Sequence, residues 1–166
     1  MTSNQRTAET DTLTVSARFR SLINRITLAP PLITLYEQFN SAQSLGARGE
    51  REAERYLLRK GYLIVGRSYS DKYGELDLIA VYGRTLVFVE VKTRRSDIAG
   101  EPAEAVDEQK QRKLTTTAKR YLKWNNLIEY PSRFDVIAIT WPDDRKPPGI
   151  VHYKDAFEAA DRYQMC

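Results

Sequence analysis

Two carboxylates and a lysine on neighbouring apolar stretches could support metal-dependent chemistry. Asp77 interrupts one apolar run, and Glu90 and Lys92 interrupt the next one along the chain. Carboxylate oxygens are ligands that Mg²⁺ prefers, and an adjacent ammonium group can orient a water molecule or stabilise charge on a phosphate. These residue types together predict a site for metal-dependent phosphodiester hydrolysis.

The two runs predict a β-hairpin. Residues 74–82 and 85–93 are predicted strands, and Gly83–Arg84 between them suits a tight turn with glycine first. This turn pairs Tyr82 with Thr85. Because side chains alternate between the two faces of a strand, one face is entirely apolar and is predicted to be core: Leu76, Leu78, Ala80, Val87, Val89 and Val91.

The polar face of this hairpin carries four charges. In the predicted register Asp77 lies opposite Glu90, and Glu75 lies opposite Lys92; facing Cβ atoms are roughly 5 Å apart in such pairs. Like charges that face each other destabilise a sheet, and a divalent cation bound between them would offset the repulsion. The alternative is a half-exposed strand whose charged face only meets water. Four charges on one face favour the site.

Glu50 is the carboxylate that the preceding helix could add. Residues 43–60 predict a helix that Gly61 ends. Glu50 lies near the centre of its apolar face and either reaches toward the hairpin carboxylates or extends into solvent. That face is marked by Gly46, Gly49, Ala53, Tyr56 and Leu57. The opposite face carries an arginine stripe, which either follows phosphates or forms salt bridges with nearby glutamates: Arg48, Arg51, Arg55 and Arg59.

A second predicted helix, from Glu101–Pro102 to about Trp124, places lysines near the same site. Lys110 lies in the middle of its apolar side, and either reaches into the site or extends past the apolar surface to water. Lys113 lies at the edge of that side. The outward side carries further cations that could contact a nucleic-acid backbone or simply be solvated: Arg112, Lys119, Arg120 and Lys123.

The remaining pattern completes an α/β domain over residues 43–166. Further strands are predicted at 62–69, 133–141 and 149–153, and a last helix at 154–163. The order of these elements predicts a central mixed β-sheet flanked by helices. The preceding N-terminal segment, residues 1–42, is predicted to be a disordered or partly helical extension.

Composition limits the remaining possibilities. The chain has 166 residues and a formal net charge of +4, which is compatible with a polyanionic partner. With His152 and Cys166 as its single histidine and cysteine, it cannot build a disulfide or a zinc cluster, and we expect a cytoplasmic setting. No stretch approaches the ~18 consecutive apolar residues of a membrane span, so no membrane partner is expected. Asp135 interrupts an apolar strand, where a structural salt bridge is the expected role.

Several segments together resemble the bacterial YraN-type family. The short pattern Asp77…Glu90-Val91-Lys92 is similar to the Asp…Glu-X-Lys signature of restriction-endonuclease-like nucleases. The longer matching segments are Gly49–Glu50, Gly74–Ala80, Val87–Arg94, Lys110 with Lys113 and Leu114, Arg133–Val136 and Lys154–Phe157. The resemblance covers about residues 44–157. That family is viewed as a distant relative of archaeal Holliday junction resolvases.

This resemblance implies a restriction-endonuclease-like fold and a Mg²⁺- or Mn²⁺-dependent endodeoxyribonuclease. By that likeness the metal ligands would be Asp77, Glu90, the carbonyl of Val91 and Glu50, and the catalytic lysine would be Lys92. The residues that we expect to contact nucleic acid are Lys110, Lys113, Arg94 and Arg48. The chain departs from the signature in two places: Leu76 stands where a proline is usual, and Glu75 adds a carboxylate.

Three functional hypotheses follow. The first is a metal-dependent nuclease that acts on DNA, including the branched or junction DNA of recombination and repair, and that forms a homodimer so that both strands are cut. The second is a nucleic-acid-binding module with a vestigial site that does not catalyse. The third is a protein-interaction adaptor that uses residues 17–40 as a docking helix.

Overall fold

A computed structural model describes residues 44–95, 106–142 and 146–160. The predicted extension over residues 1–42 lies outside these residues. The described elements, in chain order, are α1 (Leu45–Arg59), β1 (Leu63–Asp71), β2 (Gly74–Tyr82), β3 (Thr85–Arg94), α2 (Glu108–Trp124), β4 (Ser132–Thr140) and β5 (Gly149–Phe157).

The five strands form one mixed sheet in the order β1-β2-β3-β4-β5. The first three strands are an antiparallel meander, β3 pairs with β4 in parallel, and β4 pairs with β5 antiparallel. A parallel pair needs a long crossover connection, and α2 lies in that connection. The sheet confirms the predicted α/β class with a mixed sheet flanked by helices.

A helix covers each face of the sheet. On one face α1 contributes Ala53 and Leu57 to a core cluster whose strand residues are Ile64, Leu78, Ala80, Val87, Val89, Ile137 and Ile139. On the other face α2 contributes Leu114, Ala118, Tyr121 and Leu122 to a cluster whose strand residues include Leu76, Ile79, Phe88, Phe134 and Val136. We refer below to the α1 face and the α2 face.

The start of α2 corrects one predicted boundary. The helix begins at Glu108, and Asp107 is its N-cap because its carboxylate accepts a hydrogen bond from the Lys110 amide at 2.7 Å. The predicted start at residues 101–102 lies outside the described residues, but Val106 and Asp107 are not helical. Lys110 is therefore in the first turn of the helix.

The β2–β3 hairpin has the predicted turn. Tyr82 pairs with Thr85, and Gly83 has a φ of 62°, the left-handed conformation that favours glycine. The strand pairing continues to Leu78 and Val89 and stops there. Asp77 and Glu90 are therefore not backbone partners, which corrects the predicted register at the open end of the hairpin.

The faces of β2 also differ from the prediction. Leu76 and Leu78 were expected to share one face, but Leu76 is buried on the α2 face and Leu78 on the α1 face. The change of side occurs at Asp77. On β1, the residue beside this point is Ser68, which has a φ of 43°. The regular alternation is therefore interrupted on both strands beside the predicted site.

The predicted helix over residues 154–163 is wrong for the described residues 154–160. Strand β5 continues to Phe157, and residues 158–160 are not helical. The reason is tertiary: the Asp155 amide donates a hydrogen bond to Asp135 at 2.9 Å, and Asp155 adopts a φ of 51°. This contact holds the chain beside β4 although residues 156–160 have a helix-forming composition.

Asp135 confirms the expected structural salt bridge. It is completely buried, and its carboxylate accepts hydrogen bonds from Arg133 at 2.8 Å and pairs with His152 at 2.9 Å. Burial alone would raise the pKa of Asp135, but these partners and the Asp155 amide hold it below its usual value. Both carboxylate oxygens therefore have partners.

We predict that Asp135→Ala lowers the free energy of unfolding by about 3 kcal/mol, because it leaves the partly buried Arg133 guanidinium and the buried His152 ring without their shared partner. Urea denaturation measures the change. Glu108→Ala is the control, because it removes an exposed ion pair with Arg112 and should change stability little. Equal, small losses in both variants would contradict the structural role of Asp135.

Candidate functional site

Glu90 is the most buried charged residue of the predicted site. It lies in β3 with 4% of its surface exposed. Its Oε1 atom is 2.8 Å from Nζ of Lys92 and 3.1 Å from Nζ of Lys110, so two ammonium groups share one oxygen. Its Oε2 atom is buried and has no hydrogen-bond partner within the described part of the chain.

Asp77 binds the backbone of the neighbouring strand instead of a facing residue. Its Oδ2 atom accepts a hydrogen bond from the Val91 amide at 2.7 Å. The Asp77 side chain, rather than a β2 carbonyl, therefore accepts the hydrogen bond of a β3 amide just beyond the last β2–β3 pair, Leu78 with Val89. The two strands separate at this point, and the carboxylate of Asp77 lies beside Glu90 rather than across a regular ladder.

The environment of Asp77 disfavours its charged form. Burial raises its pKa to about 7, and the charges of Glu90 and Glu50 add to the increase. The Val91 amide and the Lys110 ammonium oppose the increase without cancelling it. An additional positive charge nearby would therefore stabilise the ionised form of Asp77.

Glu50 approaches the site from α1. Its Oε2 atom is 3.5 Å from the hydroxyl of Ser68, and its charge is felt at Asp77. No three His, Cys, Asp or Glu side chains converge as a metal-binding group in residues 44–95, 106–142 and 146–160. Asp77 and Glu90 are thus brought together, and Glu50 does not join them at ligand distance.

The position of Glu50 depends on the residue before it. Gly49 packs so closely against β3 that a Cβ atom built on it would lie 1.8 Å from Oγ1 of Thr93. This oxygen is buried and has no hydrogen-bond partner among the described residues. Neither Ser68 nor Thr93 was predicted to be near the site. In the sequence, a close helix–strand contact was indicated only by the pair Gly49–Glu50 on the apolar face of the predicted helix.

The residues predicted to contact nucleic acid occupy different environments. Lys110 is in the site itself, and Lys113 is exposed on the next turn of α2. Arg48 lies over the ring of Trp141, 4.4 Å from its centroid. Arg94 is half-buried at the end of β3, where its carbonyl accepts from the Trp141 amide at 2.9 Å.

Other charged residues of the prediction are distributed as follows. Glu75 is exposed. On the arginine stripe of α1, Arg55 forms an ion pair with Glu52, and Arg67 of β1 pairs with Glu54. These ion pairs agree with one of the two interpretations of the stripe, in which the helix face forms salt bridges with nearby glutamates.

The donors around Glu90 fit a hard divalent cation. The oxygens available are the carboxylates of Asp77 and Glu90 and the carbonyl of Val91, which are the ligand type of Mg²⁺ and Mn²⁺. The buried, unpartnered Oε2 of Glu90 is the observation that supports this fit. Asp135 in the adjacent strand is a contrast, because both of its oxygens are satisfied.

Sequence comparison identifies the family. Residues 49–139 match the model of the uncharacterised protein family UPF0102. The chain belongs to the UPF0102 family. The match includes the site residues Glu50, Asp77, Glu90, Lys92 and Lys110, and confirms the family that the sequence motifs indicated.

Individual UPF0102 proteins are similar over most of this chain. The chain is 48% identical over 118 residues to one from Rhodopirellula baltica, covering 69% of this chain and 71% of the relative. It is 47% identical over 118 residues to one from Geotalea uraniireducens, covering 71% and 92%. It is also 47% identical over 114 residues to one from Rhodococcus jostii, covering 69% and 96%.

Within the described residues, neither α1 nor α2 combines the length and the apolar character of a membrane-spanning helix. This agrees with the absence of a long apolar run in the sequence.

The raised pKa of Asp77 predicts how stability varies with pH in EDTA. Between about pH 4 and pH 7, Asp77 ionises in the unfolded chain but stays protonated in the folded protein. The unfolded state then binds fewer protons, so the free energy of unfolding falls as pH rises, by at most about 1.4 kcal/mol per pH unit from this group.

Urea denaturation of wild type and Asp77→Asn over this pH range measures the effect. The difference between the two proteins should shift steadily in favour of the variant as pH rises. Glu75→Gln, at an exposed position on the same strand, should follow wild type. A constant difference between wild type and Asp77→Asn would contradict the buried, electrostatically coupled position of Asp77.

The contact of Gly49 gives a second prediction. Gly49→Ala should lower the free energy of unfolding by roughly 1–3 kcal/mol, because the added methyl group collides with Thr93. Gly46→Ala is the matched control on the same helix, since its nearest neighbour lies 3.9 Å away. Combining Gly49→Ala with Thr93→Ala should recover part of the loss, and strictly additive losses would contradict a direct contact.

Proposed function

We propose that this protein hydrolyses phosphodiester bonds of DNA with Mg²⁺ or Mn²⁺ as cofactor. The observation that carries the proposal is the buried acidic pair: Glu90 keeps one buried oxygen that has no hydrogen-bond partner among the described residues, and its charge helps to raise the pKa of Asp77. A divalent cation would satisfy both groups at once. Burying two carboxylates side by side is costly for a protein unless a counter-charge compensates it.

The residues that would hold the cation are Asp77, Glu90 and the Val91 carbonyl, with Glu50 contributing charge from α1. When bound, such an ion withdraws charge from phosphate oxygens and lowers the pKa of water. The Val91 amide fixes the orientation of the Asp77 carboxylate through its 2.7 Å hydrogen bond. This hydrogen bond preorganises the ligand, which reduces the conformational entropy lost on binding.

Lys92 and Lys110 supply the positive charge that phosphodiester hydrolysis needs. Each ammonium lies within 3.1 Å of Glu90 Oε1, and each side chain is partly exposed. Once the charge on Glu90 is otherwise neutralised, these groups can donate hydrogen bonds to phosphate oxygens. Lys92, on β3 beside the ligands, orients the attacking water and stabilises the developing negative charge; Lys110 binds the phosphate from α2.

A second candidate function is a nucleic-acid-binding module that does not catalyse. The observation that favours it is the double ion pair on Glu90 Oε1, because two lysines already offset the charge that would attract a metal. This alternative predicts binding that weakens steeply with salt and that EDTA leaves unchanged. Cleavage and metal-binding measurements distinguish the two functions.

We predict that purified protein cuts fluorescently labelled linear, flapped or four-way DNA in Mg²⁺ or Mn²⁺, and that EDTA abolishes cutting. Glu90→Gln and Lys92→Ala should each reduce the rate by roughly 10²–10³-fold, the usual cost of losing one charge-stabilising group. Lys146→Ala is the control, because it removes an exposed lysine in the connection between β4 and β5, and this variant should cut like wild type.

Calorimetry provides an independent measurement. Wild type should bind Mg²⁺ or Mn²⁺, and Glu90→Gln should bind it more weakly. The nuclease proposal fails if no DNA substrate is cut, or if Glu90→Gln and Lys92→Ala cut as fast as wild type. DNA binding that persists without cleavage or metal binding would establish the second candidate instead.

A further inference from the structure

The turn between β1 and β2 presents an exposed aromatic ring between two cations. Tyr73 has 44% of its surface exposed. Nζ of Lys72 lies 5.0 Å from the centroid of its ring, and Cζ of Arg120 on α2 lies 4.9 Å from it. An exposed aromatic ring with flanking cations is a common feature of surfaces that bind unpaired nucleotides.

Asp71 holds this turn in a single conformation. Its Oδ1 atom accepts hydrogen bonds from the amides of Tyr73 at 2.8 Å and Gly74 at 3.2 Å, and its Oδ2 atom accepts one from Nε of Arg120 at 2.6 Å. The hydroxyl of Thr117 lies 3.4 Å from Oδ1. The same carboxylate thus shapes the turn and keeps the Arg120 side chain beside Tyr73.

The turn is connected to the acidic pair along α2. Gly74 packs against Thr117 and Lys113, since a Cβ atom built on it would lie 3.1 Å from the Thr117 hydroxyl. One turn earlier on α2, Lys110 contacts Glu90. At 1.5 Å per residue, the helix advances about 15 Å between Lys110 and Arg120, roughly the axial rise of four nucleotides in a duplex strand.

Four cations lie along this path, and we call them the cation track: Lys110, Lys113, Arg120 and Lys72. Lys113 and Lys72 are exposed, and Arg120 has about half of its side chain exposed although it pairs with Asp71. Cations that follow a groove or helix can track the phosphates of one strand. The track begins at the acidic pair and ends at the Tyr73 ring.

Two other aromatic side chains show why Tyr73 is distinctive. Trp141 also has an arginine over its ring, but it is almost completely buried and cannot accept a base. Tyr82 is as exposed as Tyr73 and has one cation near its ring, Nζ of Lys154 at 5.8 Å from the centroid, but the ring stacks on Tyr62 with centroids 4.5 Å apart. Tyr73 combines exposure with two cations that can retain a phosphate next to a stacked base.

We propose that Tyr73 and Arg120 bind an unpaired base, and that the cation track leads the attached strand to the acidic pair. The ligand class is DNA with a single-stranded segment, such as a flap or an overhang. The direction of the strand rests on the proposed nuclease function, whereas binding of the unpaired base does not require cleavage. The stacked base would then select substrates at the end of the cation track opposite the acidic pair.

Fluorescence anisotropy in EDTA tests the binding step without cleavage. The probes are a labelled oligothymidine, a duplex with a single-stranded flap, and the same duplex without the flap. Tyr73→Ala should raise the Kd for the oligothymidine and the flapped duplex about tenfold, the effect of losing one stacked base, and change the Kd for the blunt duplex less than twofold. Tyr73→Trp should bind the single strand at least as tightly as wild type.

Tyr82→Ala is the matched control, because it removes an equally exposed tyrosine at the opposite end of β2. It should leave all three Kd values unchanged. Tyr73→Trp also adds a fluorescent ring to the two native tryptophans, Trp124 and Trp141, so quenching by oligothymidine beyond that of wild type reports stacking at position 73. The inference is overturned if Tyr73→Ala weakens all three probes equally or none of them, or if Tyr73→Trp is quenched no more than wild type.

The outcomes separate this inference from the nuclease proposal. If duplex DNA is cut in a Glu90-dependent manner while Tyr73→Ala binds every probe like wild type, the nuclease proposal stands and this inference fails. If Tyr73→Ala loses flap binding while no protein cuts any substrate, the inference stands and the nuclease proposal fails.

Discussion

The hydrogen bond from the Val91 amide to the Asp77 carboxylate determines how the centre of this molecule is built. It occurs just where β2 and β3 stop pairing, so a side chain replaces a backbone acceptor at the opening of the hairpin. The same point marks the change of side between Leu76 and Leu78. Both core faces and the acidic pair therefore depend on one interruption of a regular sheet.

Most of the fold could be predicted because its signals are local. Alternating apolar residues identified β2 and β3, Gly83 identified their turn, and the helical periodicity identified α1. Asp107 shows the limit, since a capping aspartate at the start of a polar stretch did not displace Glu101–Pro102 as the apparent helix start. The predicted final helix failed for another reason: the partner that keeps residues 154–157 extended is Asp135, twenty residues earlier in the chain.

The same distinction applies to the candidate site. Glu90 and Lys92 could be predicted because they interrupt an apolar strand, and Lys110 because it lies on the apolar side of its helix. The structure places both ammonium groups within 3.1 Å of Glu90 Oε1. The separation of the strands at Asp77 could not be predicted, because a simple register extrapolates regular pairing. Ser68 and Thr93 carry no charge and follow no pattern, and only the packing of α1 on the sheet brings them near.

The contact between Gly49 and Thr93 divides the site into two mechanically different halves. Because Gly49 already packs against Thr93 with no room for a Cβ atom, α1 cannot move closer to β3. Glu50 therefore projects from a helix whose distance to the sheet is fixed on that side. The opposite wall consists of Lys92 and Lys110, whose ammonium groups sit at the ends of long, rotatable side chains. A site of this kind accommodates ligands of different size by rearranging its lysines, while the spacing between its carboxylates and α1 stays constant.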